Sequence, residues 1–265
     1  MRVHAKKRLG QHFLESAWAD KLVEAIAPAA DDRFVEIGPG QGALTLRLAP
    51  RVAHLTAVEL DGEMVNALSP KIPANVTVLH ADFLDVDLAS IAGDQPLRVA
   101  GNLPYNVSSP ILFKLLEAHR QRGGIRDATL MLQREVADRL TASAGTAEYG
   151  VLSILIQMHA DVRRVLALPP GAFRPAPKVR SAVVTVRFRA PAVAVADERG
   201  LEAMVRMMFM QRRKTLLNAL SAYAAFRQVQ PRAALDAAGI DPRRRPETLQ
   251  LTELARLADY FTSAG

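Results

Sequence analysis

Between Arg33 and Ala43 an apolar stretch, Phe34-Val35-Glu36-Ile37, runs into Gly38-Pro39-Gly40-Gln41-Gly42 and then into a helix-compatible segment, Ala43 to Leu48. A strand that delivers closely spaced glycines to the start of a helix suits the ligand-facing turn of an open α/β sheet, because a Cβ at those positions would block the approach of a ligand to the backbone N–H groups. Glu59 follows Gly38 by 21 residues, at the end of the next apolar run, His54 to Glu59. There its carboxylate can accept the hydroxyl hydrogens of a ribose. An adenosine-bearing cofactor is the expectation. Its identity stays open at this point: Gly38, Gly40 and Ala43 also satisfy G-x-G-x-x-A, the pattern of nicotinamide and flavin dinucleotides, and a plain strand-to-helix turn uses the same residues.

The chain on either side alternates strands and helices. Further strands are expected at Asn75 to Leu79, Leu97 to Val99 and Ala128 to Leu132, with helices at Gly62 to Leu68, Pro110 to His119 and Glu135 to Leu140. Such alternation predicts a mostly parallel sheet. Val151 to Met158 is apolar enough for a buried strand or a helix, and periodicity does not choose between them. Val162 to Leu166 and Val183 to Phe188 read as an antiparallel pair at the sheet edge, bridged by the proline-rich stretch Pro169 to Pro177. Ala190 to Gly200 marks a boundary, dividing the chain into residues 1–190 and a small helical domain, 191–265. That domain is expected to hold a helix, or two short ones, over Leu201 to Leu220, further helices at Ala233 to Ala238 and Leu249 to Leu257, and a C-cap at Gly239.

Composition narrows the chemistry. The 265 residues are 49% hydrophobic, enough for a substantial core, and include no cysteine. Disulfides, cysteine-held zinc, iron–sulfur clusters and thiol nucleophiles are thereby excluded. The six histidines show no metal-binding spacing, so no metal is expected. A formal charge of +7, from 34 Lys and Arg against 27 Asp and Glu, is compatible with a polyanionic partner without identifying one. No run approaches the roughly 18 apolar residues of a membrane span, and the basic start, Met1 to Arg8, lacks a secretory signal's apolar stretch. A cytoplasmic setting is the expectation.

Two segments bear on chemistry. Asp82, after the Asn75 to Leu79 strand, is placed to accept from an adenine amino group with Phe83 covering the base edge, and is equally suited to cap a short helix. Asn102-Leu103-Pro104-Tyr105-Asn106 lies at the C-terminal end of a predicted strand, where open sheets place their sites. An amide, an imino acid and an aromatic ring together can form a platform for a planar amino-bearing group. An Asx turn before a helix is the structural alternative.

Asn102-Leu103-Pro104-Tyr105 resembles the N-L-P-Y motif of S-adenosylmethionine-dependent enzymes that methylate amino groups of nucleic-acid bases, and Glu36 to Gly42 resembles their methionine-side motif. Over nearly its whole length the chain is similar to the ribosomal RNA adenine dimethyltransferase family. The likeness continues through Lys7 to Leu14, Gln133 to Arg139, Tyr149 to Ser153, Phe173 to Val183, Phe209 with Arg212 to Leu216, and Pro246 to Leu249. His12 stands where Asn is commoner, Arg180 where Asp is, and Leu217 where Arg is.

The resemblance implies a Rossmann-like methyltransferase sheet with a smaller C-terminal helical domain. It implies methyl transfer from S-adenosylmethionine to the N6 amino groups of two adjacent adenosines near the 3′ end of small-subunit (16S) rRNA, in the assembling 30S particle, by a monomer without membrane contact. Asn102 and the Leu103 carbonyl would accept the amino hydrogens, with Pro104 shaping the turn and Tyr105 and Phe173 stacking on the two faces of a flipped adenine. Gln11, His12, Leu14, Gly38, Gly40, Glu59, Leu60, Asp82, Phe83 and Asn102 would hold the cofactor. Lys6, Lys7, Arg8, Arg212, Arg213, Lys214, Arg243, Arg244 and Arg245 would contact RNA phosphates.

Overall fold

A computed structural model describes residues 11–122 and 124–264. Lys6, Lys7 and Arg8 therefore lie outside the described residues. By its internal contacts the chain forms two compact units, one of residues 1–137 and 161–189, the other of residues 138–160 and 190–265.

The first unit is built on a seven-stranded sheet. In chain order its first half runs β1 (Phe13–Leu14), α1 (Ser16–Ile26), β2 (Arg33–Ile37), α2 (Thr45–Leu48), β3 (His54–Glu59), α3 (Gly62–Leu68) and β4 (Val76–His80). It continues with α4 (Leu88–Ala92), β5 (Leu97–Asn102), α5 (Ser108–Arg122), β6 (Ile125–Gln133) and α6 (Arg134–Leu140). After α7 (Val151–His159) the chain returns as β7 (Ala160–Leu168), β8 (Phe173–Arg174) and β9 (Ser181–Phe188). The strand order is β4-β3-β2-β5-β6-β9-β7. The five strands from β4 to β6 pair in parallel, and β9 runs antiparallel to β6. The chain turns outward after β2 to lay down β3 and β4, then crosses back to place β5 on the other side of β2. The C-terminal ends of β2 and β5 thus flank the switch point where open sheets bind ligands. As expected, β7 and β9 are neighbours, but β9 is covered on both sides and β7 forms the edge. The edge strand carries exposed Asp161, Arg163 and Arg164, charges that discourage further strand pairing.

At the opposite end of the strands, Arg98 is buried among carboxylates. Its guanidinium bonds Asp32 at 2.6 Å and Asp127 at 3.0 Å, and donates to the Ile26 carbonyl at 2.7 Å. The cluster joins β5, β6, the end of α1 and the approach to β2.

The second unit is helical: α7, α8 (Glu198–Met210), α9 (Leu216–Ala219), α10 (Ser221–Phe226), α11 (Pro231–Ala237) and α12 (Leu251–Ala264). Val151–His159 is a helix, begun where Gly150 N donates to Ser153 Oγ at 3.1 Å. Its packing against α8 draws residues 138–160 into this unit, whereas the sequence boundary at 190 places them with the sheet. Of the two arrangements expected over Leu201 to Leu220, the structure has the two helices, separated by turns over residues 211–213 and a bend at Lys214. Leu201, Met204, Val205 and Met208 of α8 are buried at helical spacing, and Tyr223 meets Phe261 edge-on with ring centroids 5.1 Å apart. Gly239, at φ 69°, follows α11 in the left-handed conformation that ends many helices. No helix of the described residues is long and apolar enough to cross a membrane.

Candidate active site

A cleft of about 420 Å³ opens at the C-terminal ends of β2, β3 and β5. Its floor is the glycine turn. Gly38 and Gly40 sit at φ 65° and 54°, and a Cβ on Gly40 would come within 3.2 Å of the Phe13 ring. Gly40 N donates to Glu59 Oε2 at 3.0 Å, and Asp61 N donates to Glu59 Oε1 at 2.9 Å. The carboxylate at the end of β3 is thus locked to the turn at the end of β2, with further lone pairs still available to a ligand.

Glu36 lies beneath this turn, 2% exposed. Burial pushes its carboxyl up to about 8, Thr45 opposing the shift and the Glu59 charge adding to it. Its Oε2 has no hydrogen-bond partner among the described residues. An orphaned acceptor on the cleft wall is suited to a cationic donor. Arg47, the single Lys or Arg among the described residues lining the cleft, is spent on Asp20, Ser16 and the Ala43 carbonyl. The pyrophosphate of a dinucleotide would meet buried acid here, whereas the ammonium and sulfonium of S-adenosylmethionine would favour the ionised form of Glu36 and meet it as complementary charge. The residues present fit that cofactor.

Asp82 and Phe83 border the cleft after β4. Asp82 is exposed, and its Oδ1 caps the following turn by accepting from Leu84 N at 2.9 Å. It therefore fills its alternative capping role while also facing the cleft. Phe83 is buried, with Lys114 Nζ 5.6 Å from its ring centroid. Leu60 is 53% exposed at the rim, an apolar surface of the kind a base edge covers.

The other end of the cleft is formed by β5 and an N-terminal strap, residues 11–14. A Cβ on Gly101 would stand 2.5 Å from the Ile37 carbonyl oxygen, so glycine permits β5 to approach β2 and sets Asn102 beside the glycine turn. Asn102 donates Nδ2 to the His12 carbonyl at 2.7 Å. Leu103 N donates to the Met131 carbonyl at 3.2 Å, and Val107 N to the Pro104 carbonyl at 3.2 Å, fastening the turn that presents Tyr105. The Tyr105 hydroxyl bonds Ser181 Oγ at 2.8 Å, and its ring stacks on His12 with centroids 5.8 Å apart. Burial raises the Tyr105 hydroxyl above its ordinary range, Ser181 opposing the shift, so it stays a neutral phenol at physiological pH.

Gln11, His12 and Leu14 line the cleft, where β1 pairs with β8. Gln11 Nε2 donates to Asp61 Oδ2 at 2.9 Å, tying the strap to β3's end. Phe173 departs from its expected place. It is 2% exposed in the hydrophobic core, opposite Leu14 in the two-stranded ladder, and is not among the described residues lining the cleft. The β1–β8 pairing turns this side chain inward, so Phe173 anchors the loop, and the ring stacked on Tyr105 is that of His12. Asp61, Ser181 and Gly101 hold the site together without having been singled out from sequence. Asp61 carried a signal, since an acid before Gly62-Glu63 and an apolar run is an N-cap pattern, and its Oδ1 does accept from Glu63 N.

In the helical unit, Arg213, Lys214, Arg243 and Arg245 are exposed. Arg212 donates to the Ala147 carbonyl at 2.6 Å, and Arg244 grips Glu253 at 2.5 Å and the Thr248 carbonyl at 2.8 Å. These two arginines brace the unit, and Arg243 pairs with Asp241 on the surface.

An acid-walled nucleoside cleft that ends at an oriented amide and an aromatic ring suits transfer to an exocyclic amine, and the chain is an S-adenosylmethionine-dependent methyltransferase. It belongs to the ribosomal RNA adenine dimethylase family, whose profile matches residues 2–263. It is 44% identical over 260 residues to a ribosomal RNA small subunit methyltransferase A of Xanthomonas euvesicatoria pv. vesicatoria, covering 96% of this chain and 95% of that one. The protein of that name from Geobacter metallireducens is 43% identical over 271 residues, covering 99% and 98%. Among solved structures, the 23S rRNA methyltransferase ErmE superposes with a TM-score of 0.70 at 28% identity, over 94% of this chain and 99% of that one. A dimethyladenosine transferase from Plasmodium falciparum shares the fold, with a TM-score of 0.78 at 23% identity over 95% and 98%. The chain is thus an rRNA adenine N6-methyltransferase.

Proposed function

We propose that this enzyme dimethylates the N6 amino groups of two adjacent adenosines near the 3′ end of small-subunit rRNA, in the assembling 30S particle. The observation that supports the small subunit is the 44% identity, sustained over 96% of the chain, to a relative named for that subunit. A large-subunit target, suggested by ErmE, has the weaker likeness at 28% identity.

Glu59 would bind the cofactor's ribose, Asp82, Phe83 and Leu60 its adenine, and Glu36 with Gln11 the methionine end. When bound, S-adenosylmethionine supplies a sulfonium methyl as electrophile. An adenine amine is a weak nucleophile because its lone pair is delocalised into the ring, so positioning carries much of the barrier reduction. The Asn102 amide spends its N–H on His12, which leaves Oδ1 to accept an amino hydrogen, and the Leu103 carbonyl takes the other. Both acceptors favour the positive charge that develops on nitrogen. Tyr105 stacks on the flipped base. A neutral amide needs no shifted pKa for this work, and the proton leaves a nitrogen made more acidic by its new methyl group. In the second transfer one hydrogen remains to be held. The exposed Arg213, Lys214, Arg243 and Arg245 would meet RNA phosphates.

Incubating the protein with labelled S-adenosylmethionine and under-methylated small ribosomal particles, then locating label by RNA mass spectrometry, tests the reading. Two methyl groups on each of two neighbouring adenosines are expected. Transfer to large-subunit RNA instead, or none to either particle by cofactor-bound protein, overturns it.

A further inference from the structure

The loop between β8 and β9 is fixed at both ends to residues of the accepting end of the cleft. At its start the Pro175 carbonyl accepts from His12 Nδ1 at 2.7 Å. At its finish Ser181 holds the Tyr105 hydroxyl at 2.8 Å. A third tie, from Arg134 N to the Arg180 carbonyl at 3.0 Å, binds it to the end of β6. Pro177 is buried beneath the loop, and Lys178, Val179 and Arg180 are exposed, Val179 to 41%. A cation, an apolar side chain and a second cation thus stand in succession just before the residue that orients the stacking ring. Arg174, earlier in the loop, is paired with Glu15.

We propose that Lys178 and Arg180 grip the phosphates on either side of the flipped adenosine, with Val179 against the intervening ribose. This rests on the reading of the site as an RNA adenine methyltransferase and adds to it a phosphate contact made by the catalytic unit itself. A base extruded onto Tyr105 drags its own backbone past the loop, and unstacking it is unfavourable. Fixed cations at that point offset the cost where it arises. The loop's ties matter because a cation on a mobile segment would spend part of its attraction on being ordered.

Each phosphate neutralised on single-stranded RNA contributes about 0.7 to the slope of log affinity against log salt. Binding of the full protein to under-methylated small ribosomal particles is therefore measured between about 50 and 200 mM monovalent salt. The Lys178→Gln/Arg180→Gln variant is expected to flatten the slope by about 1.4, so that it loses about sevenfold less affinity than the parent across that range. Its affinity for S-adenosylmethionine should match the parent's, Arg180→Lys should restore the Arg180 share, and Arg51→Gln/Lys71→Gln, which removes two exposed cations outside the cleft, should keep the parent slope. A double variant with the parent's slope, or a control that flattens it equally, overturns the proposal while the methyltransferase reading stands. A parent that binds the particles yet methylates no RNA takes down the underlying reading instead.

Discussion

Asn102 Nδ2 donates to the main-chain carbonyl of His12 at 2.7 Å, a bond between the end of β5 and the strap 90 positions earlier. A carbonyl can only accept, so it decides which way the amide faces: nitrogen to the strap, oxygen to the cleft. Asn102→Asp keeps an acceptor but has no hydrogen to give, and a carboxylate would confront the His12 oxygen. Asn102→Ala and Asn102→Asp are both expected to lower the rate of methyl transfer about 100-fold, the scale seen when one preorganised polar group is lost. Cofactor affinity, measured by calorimetry, should change far less. A near-normal rate for Asn102→Asp would show that orientation by His12 has no part in the reaction.

The Tyr105–Ser181 bond makes a second, separable prediction. Tyr105→Phe and Ser181→Ala each remove the same hydrogen bond, whose net worth is about 1 kcal/mol. Each should raise the KM for ribosomal particles several-fold by letting the ring tilt, with little effect on cofactor binding. The double variant should be no worse than the more impaired single one, giving a coupling of about 1 kcal/mol in the mutant cycle. Additive losses would mean that the two hydroxyls act independently.

The glycine turn, the strand ending at Glu59 and the amide turn were legible in sequence because each needs a residue type that local backbone geometry or chemistry demands. Helix α1 went unread although Ala19, Leu22, Val23 and Ile26 keep helical spacing, since no capping side chain announces its start: Glu15 makes no cap hydrogen bond. The apolar run from Val151 was ambiguous because nearly every residue in it is buried, which erases the period that separates helix from strand. Phe173 was placed against the adenine by resemblance alone, yet the direction of a side chain in a two-residue strand follows from its partner, β1, far away in sequence. Arg212 and Arg244 looked like their basic neighbours because a charge run does not record which members meet a carbonyl or an acid within the fold.

Glu36 gives the protein a pH dependence of definite sign. Burial raises its carboxyl from an ordinary 4.5 to about 8, so between those values the folded chain keeps a proton that the unfolded chain has released. Stability must then fall as pH rises through this window. Glu36→Gln removes the ionisation while keeping most of the shape. Its melting temperature relative to the parent, both without cofactor, should be higher at pH 8 than at pH 5. A difference that stays flat with pH would place the Glu36 carboxyl in the ordinary range, ionised in the empty cleft.

Arg98 sits at the far end of the same strands, so its loss should affect folding and spare the chemistry. It is 8% exposed, against Asp32 at 4% and Asp127 at 6%. Replacing it by Met would leave the two buried acids sharing Arg126 alone, 2.6 Å from Asp32 and 3.3 Å from Asp127. Breaking one side of a buried ion pair costs about 3–5 kcal/mol, much of it the penalty of stranded charge. Arg98→Met is expected to lower stability by about that amount in urea unfolding, with cofactor affinity unchanged where the variant is still folded. Adding Asp127→Asn should recover part of the loss, because Arg126 then has one buried carboxylate to neutralise instead of two. If Arg98→Met were as stable as the parent, the cluster would be an expendable feature of the sheet's lower edge; if it weakened cofactor binding in the folded state, the two ends of the sheet would be coupled through β5.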